Sequence, residues 1–483
     1  MKKILVTLLL ISIQAFSQPG DLDTSFADNG IFELNTFKEA IHITTDPQEN
    51  IICTAVTESD EYAVLKLTPN GEVDTNFGNN GSVFFDHIIK KTLTLSTGKI
   101  LVLGRNSLNG DYFATVTMLN SDGSINNTFG INGTFSEIIV DSSDYSKVLE
   151  LFEYENGYLI ACRELFNGSI FIKLLPNGTL DTAYGNNGKF IIPSNYSPDN
   201  VSDFTIDANN NVYSCGYRPG YEHHGFLITK INAQGELDSN FGDNGNVFIN
   251  VSGDNNWANS IKIFENSLYI IGQGSSSEGS SWLSISKLNA ENGDLETSFG
   301  SYGDGIIYLD GSGSLGGGND FLIQENGKLI LSGTTDLNFG QIKRTKIFRV
   351  NEDGTLNYRN VFDFYYTYFS LAFHQGTDAF LAAGRTYYYP SNLLISKFNV
   401  GSLGVEDITG GNTIKIYPNP TKKYFEIESK HKITKVELYN VLGEKIHTFK
   451  NTQHFDVSRF ASGLYVVKLE SENSVVSKKL VIK

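Results

Sequence analysis

Apolar and polar positions fall in short runs of four to eight residues along this chain, and each run is closed by Gly, Asn, Asp or Ser. After Gly81 come SVFF (82–85), TLTLSTGK (92–99), ILVLGR (100–105) and YFATVTMLNSDG (112–123), rich in Val, Ile, Leu, Phe and Thr. Runs of that length, bounded by turn formers, predict β-strands joined by tight turns. The grouping recurs. The third strand returns as IICTA (51–55), ILVLG, YLIAC, VYSCG, LYIIG, LILSG and FLAAG (380–384), and the fourth returns equally often, from VLKLTPNG to LISKFNVG. Between groups stands a marker of the type VDTNFGNNG (73–81), whose aromatic recurs at Phe26, Phe77, Phe129, Tyr184, Phe241 and Phe299, 51 to 58 residues apart. A seventh, worn marker is LNYRNVF (356–362).

A unit of four short strands cannot bury its own apolar face, and stacking copies closes the core. Seven such units predict an all-β fold, a seven-bladed β-propeller, because radial closure leaves no long sheet edge open. A parallel β-helix or a string of small sandwiches is the alternative, with no capping element at either end to support it. The strand GIFELN (30–35) is expected to pair into the last blade and clasp the ring. Which strand of each unit is innermost stays open.

The two ends differ from the array. MKKILVTLLLISIQAFS (1–17) places Lys2 and Lys3 before a short apolar run and an Ala15-Phe16-Ser17 cleavage pattern, as in a secretory signal peptide. No later stretch approaches the 18 or so apolar residues of a membrane span. The propeller is expected over 18–400, a Gly- and Ser-containing linker over 401–412, and a small antiparallel β-sandwich over 413–483.

Charge marks the same boundary. Asn412 to Lys483 carries 13 Lys/Arg against 7 Asp/Glu, whereas residues 18–411 carry 22 against 47, within a total of −17. An acidic array repels phosphate backbones, so nucleic acid is excluded as a partner of that region. Cys53, Cys162 and Cys215 fall on the third strands of separate units and read as small buried hydrophobes.

Candidate chemistry is sparse. Asp23, Asp74, Asp181 and Asp238 of the markers could ligate calcium, yet Asn126, Glu296 and Asn357 stand in their place elsewhere, a scatter that an Asx turn tolerates better than a metal site does. The glycines at 78, 130, 185, 242 and 300 are expected at positive φ, and the marker aromatic between blades. No metal site or cofactor is therefore assigned. Tyr365, Tyr366, Tyr368, Tyr387, Tyr388 and Tyr389 concentrate in the last unit, and Tyr217, Tyr221 and His223 in a loop-like insertion. Tyrosines presented on a surface suit sugar rings or protein partners, and these nine are the candidate ligand-binding residues. No GxSxG, HExxH or Cys/His nucleophile pattern is present, and no catalytic residue is assigned.

The markers, with a third strand ending in Gly and a fourth ending in NxxG, resemble the delta-60 repeat family of bacterial β-propellers, which implies a secreted or surface protein and no particular activity. In the tail, Tyr417-Pro418-Asn419-Pro420, the YNVLGEKI around Gly443, the ASGLYVVKL holding Gly463 and Tyr465, and the terminal KKLVIK with Lys478 and Lys479 resemble the type A sorting domain of the type IX secretion system. That resemblance implies export through the periplasm and across the outer membrane, with the domain then removed and the product released or kept at the surface. Leu480 to Lys483 are expected as an exposed terminal strand that is part of the signal, the alternative being that they simply complete the sheet. The expected protein is a monomeric, non-enzymatic binding or adhesion scaffold whose partners are the secretion machinery and a glycan or surface-protein ligand. A polysaccharide-degrading enzyme or a structural matrix component is the alternative.

Overall fold

The computed structural model describes residues 20–483 except 141–146, 165–167, 193–199, 218–224, 252–254, 276–280, 301, 310–313, 338–341, 362–365, 375–378, 387–388, 401–414, 418, 420, 430–431, 441–444, 450–453, 462 and 472–474. The described residues form strands and turns, with no helix among them. Contacts divide the chain into two compact units, one ending at Val400 and one starting at Gly401. The expected signal peptide and linker lie outside the described residues.

The first unit is a β-propeller built from antiparallel four-stranded sheets in simple up-and-down order. One begins with Glu39–Thr45, Ile51–Val56, Tyr62–Leu67 and Ser82–Phe85. Two successive sheets join into one of eight strands through a single parallel bridge, Ser281 to Ser314, and we read them as two blades. The strands that begin the sheets are Glu39–Thr45, Ile88–Thr94, Lys147–Tyr154, Asn200–Ile206, Asn255–Phe264, Ser314–Ile323 and Tyr366–His374. Each touches the next and the last touches the first, which makes them the innermost ring.

The strand after each marker therefore belongs to the blade before it. Ser82–Phe85 is an outer strand on Tyr62–Leu67, and the expected TLTLSTGK strand is instead the innermost Ile88–Thr94 followed by a turn. This offset closes the ring: Ile31–Leu34 pairs with Leu393–Asn399, Ile31 opposite Ser396 and Leu34 opposite Leu393. The worn marker loses its turn altogether, and Leu356–Val361 runs as the outer strand on Ile342–Val350.

Middle strands read as unbroken apolar runs because both their faces are covered by neighbouring blades. Ile51–Val56 is buried at every position. Phe77 packs with Ile52 and Val64 of its own sheet and Ile89 and Val102 of the next. Phe26, Phe129, Phe241 and Phe299 are likewise buried at such junctions. The glycines that follow marker aromatics, at 78, 130, 185, 242 and 300, have positive φ, 55° at Gly78, where a Cβ would lie 2.4 Å from the Ser82 carbonyl oxygen. Four of these glycines donate their amides to the next blade, Gly78 N to Asp122 O at 2.8 Å and Gly242 N to Asn292 O at 2.8 Å among them.

The marker carboxylates serve the same joint. Asp74 and Asp238 accept the amides of Asn76 and Asn240 as Asx turns, both at 3.1 Å. Asp23, Asp181, Asp238 and Glu296 also pair with Lys397, Lys173, Lys230 and Lys287 at 2.9–3.3 Å. Three of those lysines hold their ammonium groups near the marker ring, 5.5 Å for Lys173 over Tyr184, 5.8 Å for Lys230 over Phe241 and 6.0 Å for Lys287 over Phe299. Where Met118 replaces the lysine, Asn126 replaces the acid. An uncharged partner removes the need for a buried charge.

The second unit has two sheets on one core. Lys415–Tyr417, Tyr424–Glu428 and Phe455–Asp456 form one, and Lys445–Phe449, Ile433–Tyr439, Gly463–Ser471 and Val475–Ile482 the other. Phe425, Leu438, Phe455, Val467 and Leu480 pack between them. The end of the chain is a built-in strand. Leu480 and Ile482 are buried, Thr421 exchanges backbone bonds of 2.8 Å with Val481 and Lys483, and Asn419 accepts the Val481 amide at 2.9 Å. Leu480–Lys483 thus completes the sheet, with two of its side chains in the core.

Candidate functional site: the polar channel of the propeller

Each innermost strand carries a β-bulge at the same level. The register shifts fall between Ala40 and His42, Ile89 and Lys91, Val148 and Glu150, Val201 and Asp203, Ala258 and Ser260, Gly318 and Asp320, and Tyr368 and Ser370. A bulge sets two residues against one and re-aims their side chains. Consecutive residues then face the same space. Ile41 with His42, Lys90 with Lys91, Ser202 with Asp203, Asn259 with Ser260 and Phe369 with Ser370 all line one cavity of about 850 Å³, joined by Glu150 and Asp320.

The residue after the bulge in each blade thus contributes to a ring of seven polar side chains: His42, Lys91, Glu150, Asp203, Ser260, Asp320 and Ser370. Four of the seven accept a backbone amide from the following blade. Thr92 N donates to His42 Nδ1 at 3.3 Å, Ile261 N to Asp203 Oδ2 at 3.1 Å, Leu371 N to Asp320 Oδ2 at 2.8 Å and Ile43 N to Ser370 Oγ at 3.4 Å. Ser260 Oγ adds a 2.6 Å bond to Asp203, Lys262 pairs with Asp320 at 2.8 Å, and Lys91 pairs with Glu150. The ring is a belt of inter-blade bonds as well as a cavity wall.

These contacts set protonation. Because Nδ1 of His42 accepts, the proton of the neutral ring is on Nε2. His42 opens only onto the channel, and burial, with Lys91 and Lys262 nearby, lowers its pKa to about 3 despite Asp320. Burial likewise lowers Lys91, partly offset by Asp203 and Asp320. Burial works against an ionised Asp320, but Lys262 and the Leu371 amide outweigh it and hold that carboxyl below its usual range. Among the described residues no cluster of three or more metal-ligating side chains occurs.

The sequence-selected tyrosines separate into two kinds. Tyr368 is core: it is 1% exposed, its hydroxyl is 2.6 Å from Ser396 Oγ and its ring meets Phe398 edge-on. Its assignment to a ligand surface is corrected, since alternation turns it inward. Tyr366 is half-buried against the same core, Tyr217 is half-buried and edge-on to Trp257 at 6.4 Å, and Tyr389 is 92% exposed. Tyr365, Tyr387, Tyr388, Tyr221 and His223 lie outside the described residues, as do Pro418, Pro420 and Gly443 of the tail.

Strand direction places Tyr217, Tyr366 and Tyr389 at one end of their sheets, where the innermost strands begin. Arg105, 4.7 Å from the Tyr112 ring, and Arg385, 5.6 Å from the Phe369 ring, stand at the same end. The marker turns occupy the opposite end. Of the tail residues, Tyr417 is exposed on the Lys415–Tyr417 strand, Gly463 is opposite Ile482, Tyr465 donates to Ala461 O at 3.0 Å, and Lys478 and Lys479 pair with Val467 and Val466.

Residues 415–483 match the family described as a secretion system C-terminal sorting domain, and residues 324–358 the one described as a domain of unknown function (DUF5122) beta-propeller. The chain thus carries a segment of the delta-60 β-propeller type and a type IX secretion sorting domain. It is exported by that route to the cell surface or the extracellular space. No curated protein matches the chain. Similar solved structures include the extracellular domain of a B. thetaiotaomicron hybrid two-component system (10% identity, TM-score 0.43, covering 94% of this chain and 59% of that one). A variant of Synechocystis apocarotenoid oxygenase gives 9% identity and TM-score 0.40 over 67% and 71% of the two chains. The beta-propeller domain of the Pyrococcus furiosus Trilobed protease gives 11% and 0.42 over 75% and 95%. This chain spans 59% of the first of these proteins, and likenesses so distant add nothing about activity.

Proposed function

We propose that the exported propeller is a non-enzymatic binding scaffold that takes a glycan on the face where the innermost strands begin. The observation that carries this reading is the commitment of the channel acids. Glu150 is held by Lys91, Asp203 by Ser260 and the Ile261 amide, and Asp320 by Lys262 and the Leu371 amide. A glycosidase needs a carboxyl poised as proton donor beside a second carboxylate. Here each is already tied to a cation or an amide. On the same face, aromatic rings from two blades are set beside arginines, Tyr112 by Arg105 and Phe369 by Arg385, an arrangement suited to stacking on sugar rings.

The test is a glycan array probed with the purified secreted chain and with Tyr389→Ala, followed by calorimetry on the best ligand. Saturable binding, weakened severalfold in the variant with no change in ligand chain length, is the expected outcome. Cleavage products would overturn the non-enzymatic reading, and absence of binding to every glycan would overturn the ligand class.

A further inference from the structure

We propose that Lys90 and Arg105, at the mouth of the channel, form a subsite for the carboxylate of an acidic sugar, a refinement that rests on the glycan-binding reading above. The charge distribution is the starting point. The propeller carries 22 Lys/Arg against 47 Asp/Glu over residues 18–411, yet its cavity is lined by Lys90, Lys91, Arg105 and Lys262 against Glu150, Asp203 and Asp320. Cations are concentrated where the rest of the domain is acidic.

Two of the four already have carboxylates inside the ring, Lys91 with Glu150 and Lys262 with Asp320. Lys90 is different. It is the extra residue of its bulge, between Ile89 opposite Gly104 and Lys91 opposite Leu103, and the bulge is what brings it onto the cavity wall. Arg105 stands on the adjacent strand opposite Ile88, so the two cations share one corner of the mouth. Among the described residues no carboxylate forms an ion pair with Lys90; the nearest influence is Glu39, which is bound to Arg385 at 3.2 Å. Lys90 stands exposed at the mouth, and its crowding against the wall together with the Arg105 charge lowers its pKa, a repulsion that an anion seated between the two cations would offset.

The chemistry of the corner selects the ligand. Lys and Arg offer donors and no acceptor, and the guanidinium fork matches a carboxylate. Arg105 is flattened against Tyr112, and Phe369 lines the cavity across the mouth, so a ring bearing the carboxylate finds an apolar wall. A cavity of about 850 Å³ lies in the range of small-ligand pockets and admits a sugar end rather than a folded partner. The acidic field of the surrounding domain disfavours densely charged polyphosphates and leaves one carboxylate per ring as the better fit.

Trigalacturonate, its fully methyl-esterified form and a short poly-glutamate would be titrated calorimetrically into the secreted chain and into Lys90→Gln/Arg105→Gln, with thermal melts confirming that the variant is folded. Trigalacturonate should bind, the ester and the peptide at least tenfold more weakly, and the double variant should lose at least tenfold toward trigalacturonate alone. Equal binding of acid and ester would overturn the carboxylate subsite and leave glycan binding standing. Equal binding of poly-glutamate would overturn the sugar. A chain that binds none of these, nor any neutral glycan on the array, would remove both readings.

Discussion

Acidification should weaken the propeller through His42, and the size of the effect follows from its place in the ring. The ordinary pKa is 6.5, and the channel lowers it to about 3. The folded state therefore resists a proton that the unfolded chain accepts. The contribution is intact above pH 6.5 and is lost as pH falls toward 3, at about 1.4 kcal/mol per pH unit. Between pH 7.5 and 4.5 the loss reaches roughly 2.7 kcal/mol at most, less whatever channel water recovers. Of the charged neighbours, Lys91 and Lys262 oppose protonation as burial does, and Asp320 favours it without overcoming them. His42→Gln keeps an acceptor for the Thr92 amide and cannot titrate. Urea unfolding would be followed by fluorescence of Trp257 and Trp282, the only tryptophans of the chain and both in the propeller. The variant should lose about 1–3 kcal/mol less than the wild type between the two pH values, other groups cancelling in the difference. A difference under ~0.5 kcal/mol, or of opposite sign, would refute the desolvated, acceptor-locked imidazole.

Other consequences are simpler to check. Phe77→Ala empties the junction of the first two blades and should cost about 3–5 kcal/mol in the same urea assay. Gly78→Ala sets a Cβ 2.4 Å from the Ser82 carbonyl oxygen at φ 55° and should lower the melting temperature by several degrees, roughly the effect of 1 kcal/mol or more. Burial pushes the Cys53 thiol up to about 12, and Cys162 and Cys215 upward as well, so a thiol reagent should label the native propeller slowly and all three sites after denaturation. Deleting residues 401–483 should leave the propeller inside the outer membrane, measured by cell fractionation.

Much of this architecture is written in the chain because it repeats. The marker aromatic, its glycine and its Asx residue each do one local task, and a local task leaves a local signature. The clasp by Ile31–Leu34 was legible for the same reason, as a strand with no partner in its own unit. The channel ring was not. HIT, KTL, DFT and SIK look unrelated in sequence, and a bulge breaks the alternation that would mark their side chains as inward. Only pairing to the second strand brings them to one level. The polar residue near the middle of each first strand was the available signal, hidden by the uncertainty over which strand is innermost. Tyr368 misled for a related reason: a run of tyrosines looks like a surface until strand alternation is anchored to the core.

Binding and turnover are best separated in one vessel. The secreted chain would be held with trigalacturonate by equilibrium dialysis, and the ligand recovered from the protein side would be sized by mass spectrometry. Enrichment on the protein side with every recovered molecule still a trimer is the predicted result. Shorter or unsaturated products would show that the channel acids are not held out of chemistry and would contradict the account.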